Sequence, residues 1–170
     1  MIRSVTLNDA DALTRIYNHY IRTSGVTFED EPITTDDMSQ RIKNIHFSNG
    51  FPYLVFEENN DVLGYAYATT FRERVAYRFT LESTVYLDPK HFGKGIGKLL
   101  YTQLIQLLNE QGFHSVIGVI TLPNDASVRL HEHFGFRKVG HFTEVGKKFG
   151  RWMDVGFWEL LLSPDTKQSE

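Results

Sequence analysis

The sequence contains no cysteine. Disulfides, thiolate metal sites and a cysteine nucleophile are thereby removed in one step, so any acyl transfer must take another route. No apolar run approaches the roughly 20 residues that span a bilayer, and the N-terminus lacks the basic-then-apolar pattern of a signal peptide. No membrane partner is expected, and the expected address is cytoplasmic. Neither charge dominates: 18 Lys and Arg against 21 Asp and Glu give a formal net charge of -3, which argues against a nucleic-acid partner and leaves small anions as local ligands. The seven histidines are scattered. The tightest pair, His131 and His133, stands two apart in an expected helix, where side chains point about 200° from each other. They cannot share a metal ion locally, and no metal is expected. Internal repeats, low-complexity segments and a second domain boundary are missing as well.

What remains is a chain of 170 residues, 41% hydrophobic and 23% charged, long enough for one substantial core and short for two. A single domain over residues 1–163 is expected, followed by a polar tail, 164–170, that frays. The stretch Leu81–Leu108 organises it. Leu81–Leu87 reads as a strand on its β-branched and aromatic residues, and Asp88-Pro89 ends it with a turn. Beyond a glycine loop, Ile96, Leu100, Leu104, Leu107 and Leu108 recur at three- and four-residue spacing, one face of a helix that starts near Gly95.

Three alternating glycines at a helix start let backbone approach a ligand closely, with free N–H groups and the positive end of the macrodipole pointing outward. This is an anion cradle suited to phosphate, or a turn that merely joins strand to helix. A nucleoside triphosphate loop would need Gly at 92 and Ser or Thr at 99, where Phe92 and Leu99 stand. A dinucleotide fingerprint would need Gly at 98 or 100, where Lys98 and Leu100 stand. Both nucleotide readings are therefore weak.

Along the chain, a short apolar start at 1–5 precedes a helix capped by Asn8 or Asp9, which carries Leu13, Ile16, Tyr17, Tyr20 and Ile21 and ends at Gly25. Val26–Asp30 reads as a loop whose Phe28 either packs on the core or touches a ligand. A second, weaker helix runs from Thr34 or Thr35 through Met38, Ile42 and Ile45 to Asn49-Gly50. Strands Tyr53–Glu57 and Val62–Thr70 flank an Asn59-Asn60-Asp61 turn. Phe71–Arg78 is a loop with three arginines and a tyrosine, by itself a solvated charged segment. After the glycine-loop helix, which stops at Gln111-Gly112, come a strand over Ser115–Thr121 and a helix capped by Asn124–Ser127 and ended by Gly135. Two last strands, Phe136–Val145 and Trp152–Leu162, flank Gly146–Arg151. The order β-α-α-β-β-β-α-β-α-β-β describes an α/β fold with a central mixed twisted sheet flanked by helices.

The glycine loop after the fourth strand, with Gly95 and Gly97 in place, resembles the signature of the GCN5-related N-acetyltransferases. Phe92 departs from it, standing where Arg or Gln is usual. A closer resemblance covers nearly the whole chain, to the phosphinothricin and methionine sulfoximine acetyltransferase subfamily. It is carried by 17–21 (YNHYI), 82–86 (ESTVY), 122–125 (LPND), 127–132 (SVRLHE) and 148–158 (KFGRWMDVGFW).

The resemblance implies an acetyl-CoA-dependent N-acetyltransferase in which the α-amino group of phosphinothricin or of a methionine sulfoximine- or sulfone-like amino acid attacks the thioester directly. A chain without cysteine suits such a route. By resemblance, the backbone of Val85, Tyr86 and Leu87 holds the pantetheine arm, and its N–H groups can steady charge on the thioester carbonyl. Gly93, Lys94, Gly95, Ile96, Gly97 and Lys98 take the pyrophosphate, and Asn124, Ser127 and His133 approach the cofactor from the next helix. Glu82 is the expected general base, unless it is salt-bridged to a nearby arginine, and His131 is its competitor, unless it is a core histidine. Phe28, Arg72, Arg74 and Tyr77, with Glu82 and Val85, match the family's substrate positions; guanidinium groups suit carboxylate and phosphinate oxygens. A homodimer with its sites near the interface is implied, to which the aromatic-rich Phe149–Trp158 could contribute. Two other readings stay open: a non-catalytic acyl-CoA-binding sensor, and an N-acetyltransferase for another small amine or a protein N-terminus.

Overall fold

A computed structural model of the chain describes residues 1–162, so the expected polar tail and the end of the domain lie outside the described residues. The element order is the expected one: β1 (Ile2–Ser4), α1 (Ala10–Thr23), α2 (Thr35–Ile42), β2 (Tyr53–Glu58), β3 (Asp61–Thr70), β4 (Thr80–Leu87), α3 (Ile96–Glu110), β5 (Ser115–Leu122), α4 (Asp125–His133), β6 (Arg137–Lys148) and β7 (Arg151–Leu161). Seven strands form one sheet in the order β1-β2-β3-β4-β5-β7-β6. All neighbours run antiparallel except β4 and β5, whose parallel pairing requires the crossover through α3.

The sheet separates two cores because strand residues alternate between its faces. On one face Leu54, Ala66, Ala68, Leu81 and Val116 meet the buried stripe of α3, made by Ile96, Leu100, Tyr101, Leu104 and Leu108. On the other, Tyr53, Val55, Tyr65 and Tyr86 meet Leu13, Ile16, Tyr17 and Ile21 of α1 and Met38 and Ile42 of α2. The helix periodicity seen in the sequence is therefore the buried face. Among the described residues no helix is long and apolar enough to cross a membrane.

Three boundaries differ from expectation. Gly25 does not end α1; the helix stops at Thr23, with Ser24 already extended at φ -148°. Gly25 is small for another reason: a Cβ there would lie 2.7 Å from the Met153 methyl on β7. The second helix changes character after Ile42, where Lys43–Ser48 continue as a wider π-type turn before Asn49. Between the last strands, the expected connection Gly146–Arg151 contracts to Phe149-Gly150, both left-handed at φ +51° and +73°, so Lys147 and Lys148 pair in β6 instead of looping out. Such a two-residue turn suits the strand twist. Asn59 and Asn60 make the same kind of turn between β2 and β3, at φ +52° and +65°.

Candidate active site

The site begins with an incomplete strand pair. β4 and β5 each run eight residues, yet their parallel pairing covers only the rungs from Thr80 opposite Ser115 to Ser83 opposite Gly118. Beyond those rungs β4 stays with β3 and β5 stays with β7, and the two strands part. The second half of β4 therefore has one edge without a strand partner. The Asp88 N–H donates to the Leu63 carbonyl on β3 at 2.8 Å, and backbone groups alternate sides along a strand, so Tyr86 also faces β3 while Val85 and Leu87 face the gap. Tyr20 Oη occupies one of these positions, donating to the Leu87 carbonyl at 2.6 Å. The Val85 and Leu87 N–H groups and the Val85 carbonyl are left for a ligand.

Two cavities meet in this gap. One, of about 420 Å³, runs from Phe92 and Gly93 past Tyr20, Leu87, Ala126 and Leu130. The other, of about 250 Å³, runs from Thr84 to Glu82 between Thr27, Phe28, Tyr101, Val119, Ile120 and His131. Val26, Val85, Tyr86, Asn124 and Ser127 line both, so together they form one passage from the glycine loop to Glu82. At its outer end Gly93 and Gly95 take φ +76° and +78°, a conformation that side chains disfavour. Gly95 caps α3, whose first backbone bond runs from the Leu99 N–H to the Gly95 carbonyl at 3.1 Å. Ile96, Gly97 and Lys98 thus offer N–H groups with no helical acceptor, and Lys94 and Lys98 are exposed beside them. This geometry suits a pyrophosphate. Phe92, 56% exposed, lines the passage with a ring and no donor.

At the inner end stands the Glu82 carboxyl. Burial pushes its pKa above the ordinary carboxylate value, and among the described residues it forms no ion pair. The salt bridge to a neighbouring arginine is therefore not made. His131 is arranged differently. Only 3% exposed, it sits on α4 with Nδ1 2.8 Å from the Ser127 carbonyl, which can only accept, so Nδ1 carries the proton. Nε2 then accepts from Tyr101 Oη at 3.0 Å, and Ser83 Oγ stands 3.2 Å behind Tyr101. Burial pulls the His131 pKa down, against a smaller opposing effect of the Ser127 bond. Its ring fits against β5 because position 118 is glycine: a Cβ there would lie 2.5 Å from Nε2. A neutral imidazole with both nitrogens bonded is a poor proton acceptor. The Glu82 carboxyl, by contrast, has no cationic partner among the described residues, and desolvation is what raises its pKa.

The model of the acetyltransferase (GNAT) domain family matches residues 2–156. The chain belongs to the GNAT acetyltransferases. It is 44% identical over 158 residues to the phosphinothricin N-acetyltransferase of Streptomyces viridochromogenes, covering 93% of this chain and 85% of that protein. It is 37% identical to the L-methionine sulfoximine/L-methionine sulfone acetyltransferase of Salmonella typhimurium, covering 95% and 94%. Among solved structures, a phosphinothricin acetyltransferase from Sinorhizobium meliloti in complex with AcCoA superimposes with a TM-score of 0.93 at 36% identity, over 99% of this chain and 91% of that one.

The GNAT frame brings some of the expected residues together and not others. Val85, Tyr86, Asn124 and Ser127 lie at the junction of the two cavities, although Asn124 Oδ1 is already engaged as the cap of α4, accepting from the Ser127 N–H at 3.1 Å. Phe28 is a wall of the inner cavity and packs against Gly146. His133, on the opposite side of α4 from His131, is exposed, packs its edge against Phe134 and lines neither cavity. Arg72 stacks over the rings of Phe71 and Tyr77, at 5.2 and 5.6 Å from their centroids, and Arg74 starts a short turn over Val75–Tyr77. These three precede Glu82 in the chain but do not line the inner cavity, whose lining contains no Lys or Arg among the described residues. Several residues in and around the site were not singled out from the sequence. Val26 and Thr27 lie in a segment without periodicity, and Tyr101 reads as one more residue of an apolar helix face. Lys148 falls in an expected loop, yet is buried, and its Nζ donates to the Thr27 carbonyl at 2.8 Å. Burial lowers the Lys148 pKa, and the nearby Asp30 and Glu29 act against that effect.

Proposed function

We propose that this GNAT protein transfers acetyl from acetyl-CoA to the α-amino group of small amino acids with a polar tetrahedral head group, phosphinothricin and methionine sulfoximine or sulfone being the type. The observation that carries the reading is the single passage from the glycine loop to an unpaired, partly buried carboxylate at Glu82. Acetyl-CoA supplies the activated acetyl thioester. Gly93–Lys98 would hold its pyrophosphate with backbone N–H groups, and the open edge of β4 would receive the pantetheine arm. The Val85 N–H would steady the negative charge that grows on the thioester carbonyl. Glu82 takes the proton from the substrate ammonium, the form in which most amine arrives at neutral pH. His131, with Tyr101 and Ser83, builds the polar floor beneath the reacting groups. From outside the inner cavity, Arg72, Arg74 and Tyr77 are assigned to the anionic head of the substrate, and His133, exposed and outside the lining of both cavities, to a contact with the cofactor.

A sensor that only binds acyl-CoA has no use for Glu82, since an uncompensated carboxylate in a half-buried place costs stability. A protein N-terminus suits the site less well than an amino acid, because the inner cavity measures about 250 Å³ and Phe28 and Thr27 wall it. We further assign a cytoplasmic location, a homodimer and a part in resistance to phosphinate compounds. Exposed Phe142, Phe149 and Trp152 on the last two strands are consistent with a partner surface. Thiol release measured with phosphinothricin, methionine sulfoximine, methionine sulfone and ordinary amino acids tests the reading. Release that depends on the first three is expected; release with none of the amines would leave the sensor.

A further inference from the structure

The segment Ser24–Asp30 walls the inner cavity with Val26, Thr27 and Phe28, yet it belongs to no helix or strand. It is held from both sides of the gap. On the helix side, Tyr17 Oη and Thr27 Oγ1 share a hydrogen bond at 2.8 Å, and Arg41 donates to Glu29 at 2.7 Å. On the other side the β6–β7 hairpin supplies Met153 over Gly25, Gly146 beneath the Phe28 ring and the Lys148 ammonium on the Thr27 carbonyl. Packing alone accounts for the first two. It does not account for Lys148, because burying an ammonium is costly unless the group is used, and this one is 3% exposed and bonded to a carbonyl 121 residues away in the chain. Its other neighbours are the face of Phe149, at 5.1 Å, and the nearby Asp30 and Glu29, whose charges favour the ammonium without bonding to it.

We infer that Lys148 is a positioning residue for the acceptor site: by holding the Thr27 carbonyl it fixes the Phe28 ring, so that the β6–β7 hairpin sets the width of the amine end of the cavity. Two features make the coupling specific. Thr27 is gripped at its carbonyl by Lys148 and at its hydroxyl by Tyr17, which leaves it little freedom to rotate. Phe28, the next residue, lies so close to Gly146 that a Cβ at that position would overlap its ring. The hairpin and the wall therefore move together. Thr27 and Phe28 line the inner cavity and not the outer one, so the effect falls on the amine rather than on the cofactor.

The inference rests on the acceptor-site reading given above, and the test separates the two. Lys148→Met keeps the length of the stem and removes the donor. With phosphinothricin and methionine sulfone as probes, the amine KM should rise about tenfold or more, as expected for losing a hydrogen bond from a charged group. The kcat at saturating amine should stay within about threefold and the acetyl-CoA affinity within about twofold. Amide hydrogen exchange at residues 26–29 should quicken. In a Phe28→Ala background, Lys148→Met should add less than about twofold, since the lysine acts through that ring. Gly146→Ala leaves the ammonium in place, displaces Phe28 directly and should raise the same KM, which keeps the test open if Lys148→Met does not fold. An amine KM within about twofold of wild type in either folded variant overturns the inference, as do equal losses for amine and acetyl-CoA. If wild type acetylates none of the probes, the acceptor reading fails, and unchanged exchange at residues 26–29 in Lys148→Met then overturns the role of Lys148 independently.

Discussion

Replacing Glu82 by Gln keeps the shape of the side chain and removes its ability to accept a proton. Among the described residues this carboxyl has no cationic partner, and burial raises its pKa, so two effects of the substitution can be worked out separately. Positioned general bases contribute about 10²–10⁴ in rate. Without the base, only amine that solution has already deprotonated can react. A peptide α-amino group titrates near ~7.7–8.0, so roughly one molecule in ten is reactive at pH 7, and fewer for a free amino acid. The variant's kcat/KM should therefore fall by about 10²–10⁴ at neutral pH and climb about tenfold per pH unit until the amine's own pKa is reached. Wild type should instead level off once Glu82 is ionised, above the ordinary carboxylate range. The second effect is on stability. A carboxyl whose folded pKa is raised adds stability only below its unfolded pKa, and that contribution is lost as pH rises through the folded value. Glu82→Gln should therefore melt higher than wild type at pH 8, and the difference should shrink towards pH 4. Stopped-flow thiol release across pH, with thermal melts at both pH values, reads both effects. Near-normal turnover at pH 7 would refute the reasoning, and so would a variant that melts lower at pH 8 than at pH 4 relative to wild type.

Gly95→Val places a β-branched residue at φ +78°, where backbone must also approach pyrophosphate; calorimetry should show acetyl-CoA affinity reduced at least about tenfold in a folded protein. Tyr101→Phe removes the donor to His131 Nε2 and should cost stability by about 1–3 kcal/mol in denaturant melts, with the pH profile of Glu82 unmoved. An acid limb that shifts would instead give His131 a share in proton transfer. Arg74→Ala should raise the KM of anionic amino acids tens-fold while leaving acetyl-CoA binding unchanged, since bonds to charged groups contribute about 1.5–3 kcal/mol. Equal losses for anionic and neutral amino acids in steady-state kinetics would make Arg74 structural.

How much of this was legible in the chain depended on whether the signal was local. The run from Leu81 through the glycine loop to Leu108 carries its own punctuation, so the strand, the glycine turn and the helix could be read from it, while Tyr20, Val26, Ala126 and Leu130, which also line the outer cavity, come from elsewhere in the chain. Periodicity likewise exposed the buried faces of α1 and α3. The parting of β4 from β5 could not be read, because it is a matter of where parallel pairing stops, and the residues at the last rung, Ser83 and Gly118, look like ordinary strand residues. Gly118 is informative only once His131 is known to press on it. Lys148 was hidden for a similar reason. A lysine between Gly146 and Gly150 has the composition of a turn, and only the two-residue turn at Phe149-Gly150 draws it into β6 and under the Thr27 carbonyl. The charged loop before β4 remains the point where chain order and cavity lining part company: Arg72, Arg74 and Tyr77 stand near Glu82 in sequence and outside its cavity in the fold.

We propose that the acetyl group passes to an amine in the gap between β4 and β5, with Glu82 as the base. A crystal structure with coenzyme A and methionine sulfone bound together tests it most directly. The account predicts the pyrophosphate on Gly93–Lys98, the sulfur in the gap beside Val85, and the amino nitrogen about 2.6–3.2 Å from a Glu82 oxygen or joined to it through one water. An amine bonded to His131 instead, or a coenzyme lying outside the gap, would contradict it.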